Sequence, residues 1–77
     1  MKKIDLDNVM LSQRIVSTWL AYVTQEIIRL KVKYTDLAPA EIADEFLVIE
    51  KGKAFLVAKV RSSVLKLAVP NDEYKLV

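Results

Sequence analysis

The sequence predicts one α+β domain: a long N-terminal amphipathic helix packed on a small antiparallel β-meander, with a short second helix between them. Three observations carry this. Apolar residues recur at spacings of three and four in the first third of the chain. The second half holds short apolar runs separated by turn residues. A length of 77 residues admits a single core, spanning residues 1–77.

The helix rests on Val9, Leu11, Ile15, Val16, Trp19, Leu20, Val23 and Ile27, which form one stripe with Tyr22 and Leu30 at or within it. Arg14, Ser17, Thr18, Thr24 and Gln25 lie opposite, and Glu26 intrudes on the stripe. Asp7 or Asn8 suits the cap, since a short side-chain acceptor satisfies an orphan backbone amide and an acid complements the dipole. From Ile28 to Thr35 the pattern alternates with period two, as a strand would, yet Leu30 continues the helical stripe. Propagating an existing helix is easier than starting a strand without a turn, so helix is expected to about Lys31. Pro39 then suits a first helical position, with Ala38 as the entry, which predicts a short helix from Pro39 to Glu45.

Phe46 to Ile49 and Ala54 to Val60 flank Lys51-Gly52-Lys53, which holds the only glycine, and together read as a hairpin. A third run, Val64 to Val69, stops at Pro70-Asn71-Asp72, and Tyr74 to Val77 is long enough for a short edge strand. The rival is a second long helix over residues 53–69, because Val57, Val60, Val64 and Leu67 also fit a helical face. The density of β-branched residues favours strands.

The chain has no cysteine and no histidine, which removes thiolate nucleophiles, zinc–sulfur sites and the commonest general base. One glycine cannot build a phosphate-cradling loop. The expectation is a non-enzymatic protein without cofactor or metal. Glu41, Asp44 and Glu45 read as a solvated acidic face. The start, Met1-Lys2-Lys3-Ile4-Asp5-Leu6-Asp7, meets acids before any apolar stretch develops, unlike a signal peptide, so a cytoplasmic location is expected. The longest uncharged stretch, between Arg14 and Glu26, is too short to cross a membrane. The polar helix face carries Ser, Thr and Gln where membrane-surface helices carry Lys and Arg, so a membrane partner is disfavoured.

Net charge is only +2, but its distribution is segregated: eight of the twelve basic residues fall in two acid-free blocks flanking an acidic segment. Arg29, Lys31 and Lys33 occupy the first; Lys51, Lys53, Lys59, Arg61 and Lys66 the second. If they share a surface, Arg29, Lys31, Lys33, Lys51, Lys53, Lys59 and Arg61 are candidate contacts for an acidic partner or phosphate. The bland alternative is internal neutralisation by the acidic segment. Trp19, Phe46 and Phe55 are expected in the core, with Tyr34 and Tyr74 as surface aromatics. Apolar surface exceeds what one helix on one sheet face can bury, and Met10, Ile28 and Val32, outside the stripe, are candidate interface residues. Two readings follow. The first is a protein–protein interaction or regulatory module that self-associates as a homo-oligomer. The alternative is a small nucleic-acid-binding protein using the basic blocks 29–33 and 51–66.

Overall fold

Ser12 decides where the helix begins. In the computed structural model, which describes residues 2–35 and 42–77, its hydroxyl accepts from the Ile15 amide at 3.2 Å and caps α1, Gln13–Lys33. The expected caps at Asp7 or Asn8, and the placing of Val9 and Leu11 in the helix, are corrected by this. Leu6–Asn8 is a 3-10 turn and Val9–Leu11 a strand, β2. Val9 and Leu11 pack toward the core while Met10 points out, a period-two pattern that also fits a helical spacing. The helix runs through Ile28–Lys33, so the strand reading there is excluded.

The main sheet is antiparallel with four strands, in the order β1 (Lys2–Asp5), β3 (Ile42–Glu50), β4 (Lys53–Val60), β5 (Ser63–Val69). The expected meander is β3 to β5, and the rival helix over residues 53–69 is excluded. β1 adds a fourth strand that carries almost no sequence signal: it holds one apolar residue, Ile4, which faces Leu47 across the ladder. The tail strand β6, Tyr74–Leu76, exists, but it pairs with β2 in a separate two-stranded ribbon rather than with the meander.

The predicted helix from Pro39 to Glu45 is overturned over Ile42 to Glu45, which open β3; residues 39–41 lie outside the described residues. Ile42 to Glu45 instead pair with β4 across a β-bulge. Ala43 pairs with Lys59 and Phe46 with Val57, so β3 carries one extra residue, and Asp44 takes φ 57, a conformation that aspartate tolerates. The extra residue shifts the phase, so that Ile42 and Leu47 face the same side although five positions apart. Both hairpins turn tightly. Lys51 and Gly52 have φ 50 and 76, the two positive values of a type I′ turn, and Arg61 has φ 55 at the first of two turn residues.

α1 covers one face of the sheet. Ile15, Trp19, Val23 and Leu30 pack on Leu47, Leu56, Val60, Leu65 and Val69, with the small Ala54 and Ala58 of β4 between them. Trp19 is core, as its spacing predicts, and its Nε1 donates to Glu45 Oε1 at 3.1 Å, beside the bulge. A helix is about 10–12 Å wide, whereas four strands at about 4.8 Å spacing span roughly 14 Å. The β2–β6 ribbon fills the difference with Val9, Leu11 and Tyr74, together with Leu6 from the turn before it. Tyr74 therefore packs against the core, and Val16 and Leu20, expected in the stripe, remain exposed at its border.

The ribbon is tied to the helix start. The Ser12 amide donates to the Glu73 carbonyl at 2.9 Å. The Arg14 guanidinium grips the Glu73 carboxylate through Nε at 2.7 Å and through Nη2, and the Ser12 hydroxyl donates to Oε1 at 3.2 Å. The Arg14 hydrogen bond holds the Glu73 carboxyl below its ordinary pKa, against the opposing effect of desolvation and with help from Ser12 and the Arg14 charge. A depressed carboxylate stabilises the fold fully above the ordinary glutamate range and loses that contribution as pH falls through its folded value. Melting temperature should therefore drop more steeply below about pH 4 in the unaltered chain than in Glu73→Gln. Parallel acid limbs in thermal melts of the two would show that the contact contributes nothing.

Candidate functional site

Strand residues alternate between faces, so the positions next to the core residues point away from α1. On β3 these are Phe46, Val48 and Glu50; on β4, Lys53, Phe55, Val57 and Lys59; on β5, Val64, Lys66 and Ala68; on β1, Lys3 and Asp5. Among the described residues no element packs as a layer over this face. The expectation that Phe46 and Phe55 belong to the core is corrected here: both are half-buried on the open face, outside the helix-side core.

The registers place the two rings on the central strands. Phe46 is opposite Val57 and Phe55 opposite Val48, which makes the phenylalanines diagonal neighbours, roughly 7–8 Å apart at the backbone. Val48 and Val57 are only 3% and 8% exposed although α1 lies on the other side of the sheet. The rings and two lysine stems roof them. Lys3 Nζ lies 4.9 Å from the Phe46 ring centre and Lys66 Nζ 4.3 Å from that of Phe55. Such exposed contacts are worth about 0.5–1 kcal/mol each, so either ammonium is released at small cost. A depression of about 200 Å³ lies between Phe46, Val48, Val57 and Val64, with Lys3, Glu50 and Lys66 at its rim. Phe55 also walls a second depression, of about 330 Å³, toward Gly52, Lys53 and Pro70. The face carries four lysines (Lys3, Lys53, Lys59, Lys66) against two acids (Asp5, Glu50), and Glu50 lies 3.7 Å from Lys66.

The seven candidate cations do not form one surface. Lys53 and Lys59 lie on the open face, six residues and about 20 Å apart along β4. Lys51 is in the β3–β4 turn. Lys31 and Lys33 are in the last turn of α1, and Lys33 and Arg61 both approach the Tyr34 ring, at 5.6 and 5.4 Å, at the end of the molecule near the β4–β5 turn. Arg29 is bound to Glu26 at 2.7 Å, which raises its pKa and explains how an acid sits beside the apolar stripe. The candidate apolar residues also divide. Ile28 and Val32 are 59% and 81% exposed and one turn apart on α1, whereas Met10 projects from the ribbon near the other end of the helix.

Sequence reasoning missed Lys3, Lys66 and the two phenylalanines as a group. The signal was period two: in Phe46-Leu47-Val48 and Phe55-Leu56-Val57 the leucine takes one face and its neighbours the other. The acidic trio does not assemble on a helix. Asp44 and Glu45 sit at the bulge, Glu41 is outside the described residues, and among the described residues no three acidic side chains converge to hold a metal ion. No helix among them is long and apolar enough to cross a membrane.

The face assignment is directly testable, because Phe55 and Leu56 are adjacent and point opposite ways. Phe55→Ala should cost distinctly less than Leu56→Ala, which should cost about 2–5 kcal/mol, because only Leu56 is fully buried. Denaturant titrations giving equal losses would place both residues in one core. No protein-family model, curated protein or solved structure matches the chain, so its function is read from this face.

Proposed function

We propose that the chain is a non-enzymatic binding module that docks a macromolecular partner on the open face of its four-stranded sheet. One observation carries the reading: Phe46 and Phe55 project side by side from the central strands on the face away from α1. Aromatic side chains that stand outside the core on an open face are enriched among the residues that anchor interfaces. The absence of cysteine and histidine supports the non-enzymatic part of the reading. A photoreactive phenylalanine analogue at position 55, expressed in the native host, should form adducts with a partner, whereas one at Gln25, exposed on the helix, should not. Equal yields from both positions, or none from position 55, would overturn the reading.

Self-association is a second, independent reading, supported by Ile28 and Val32 on the solvent side of α1, next to each other and largely exposed. A core of this size leaves only about 3–5 kcal/mol of net stability, so burying such a pair against a second copy is worthwhile. Sedimentation at micromolar concentration should show a dimer or larger, and Ile28→Glu should return it to a monomer. A monomer in the unaltered chain removes this reading and leaves the sheet face unaffected.

A further inference from the structure

We infer that the partner of the open face is a single-stranded nucleic acid, with Phe46 and Phe55 stacking neighbouring bases and Lys3, Lys53, Lys59 and Lys66 meeting its phosphates. The inference rests on the reading of the open face as the docking surface.

Two flat rings stand on adjacent central strands, diagonal to one another, with shallow depressions beside them of about 200 and 330 Å³. Each ring already holds an ammonium group near its face, at 4.9 and 4.3 Å. Ring and cation are therefore paired twice over on the same surface. A ligand complementary to it must supply a flat π-face and an anion together, in a short repeat. A nucleotide does so at every step, since each base stacks on an aromatic ring while its phosphate takes the displaced lysine. The four lysines outnumber the two acids even with Glu50 paired to Lys66, so the face as a whole favours an anionic ligand. Duplex DNA is a poor match, because its bases are stacked internally and a flat sheet reaches only phosphates. An acidic protein segment would use the lysines, but it supplies a flat π-face only where its own sequence places an aromatic, whereas a nucleic-acid strand supplies one at every step.

The chain as it stands can be tested with a fluorescent oligothymidylate of about 12 nucleotides, which spans a single-strand site of ordinary size, a duplex of the same length, and an abasic strand with identical phosphates. Anisotropy should show saturable binding to oligothymidylate, at least about tenfold weaker binding to the abasic strand, and weaker binding to the duplex. Affinity should fall between about 50 and 200 mM salt, and Lys3→Ala and Lys66→Ala should each lower the magnitude of the salt slope by about 0.7. Phe46→Leu and Phe55→Leu, checked for folding by circular dichroism, should each weaken oligothymidylate about tenfold and leave abasic binding unchanged. Equal affinity for the abasic strand, or for the duplex, would reduce the interaction to charge attraction and overturn the inference. So would no saturable binding at millimolar protein. The abasic comparison uses the unaltered chain and so decides the matter whether or not every variant folds. If position 55 crosslinks in the host only to protein, with adducts insensitive to nuclease, the docking face stands and the nucleic-acid assignment falls.

Discussion

Everything else in the structure depends on α1 covering one face of the sheet. Burial of Ile15, Trp19, Val23 and Leu30 against Leu47, Leu56 and Val60 removes large apolar side chains from water, each worth about 1.5–3 kcal/mol. The exposed ion pairs, such as Arg29 with Glu26, are each worth about 0–1 kcal/mol. The packing interface thus sets the fold and the charges adjust to it. One helix can serve only one face. Among the described residues the four-stranded sheet keeps a second face that α1 does not close.

The open face is neither a bare apolar surface nor an ordinary polar one. Val48 and Val57 are shielded almost completely, yet by side chains of their own sheet: Phe46, Phe55 and the stems of Lys3 and Lys66. Long charged side chains cover apolar surface while keeping their heads in water. The arrangement keeps the sheet from presenting a flat apolar patch of the kind that drives non-specific association. On the docking surface we propose, this same cover is what a ligand would displace.

The bulge at Asp44 links core and face. Without the extra residue, Ile42 would fall in phase with Phe46 and Val48 and leave the core. With it, Ile42 and Leu47 share the helix side, and Glu45 comes within reach of the Trp19 indole. A single positive-φ residue therefore lets β3 turn Ile42 and Leu47 toward the core and still present Phe46 outward.

Local pattern in the sequence was enough for the α+β class, the body of the long helix with Trp19 in its buried stripe, the hairpin at Lys51-Gly52 and the strand over Val64 to Val69. These follow from near-neighbour spacing and turn chemistry, which act within a few residues. The rest was settled by contacts between distant segments. Ser12 rather than Asp7 or Asn8 caps the helix because Val9–Leu11 finds a partner in β6 at the far end of the chain. β1 exists because Lys2–Asp5 meets β3 more than forty residues later. The helix expected from Pro39 to Glu45, on the strength of Pro39 as a first helical position, gives way over Ile42–Glu45 because these residues pair with β4 across a bulge. The face on which Phe46 and Phe55 stand is likewise a tertiary fact: alternation assigns them to the side opposite Leu47 and Leu56, and only the packing of α1 decides which side is core.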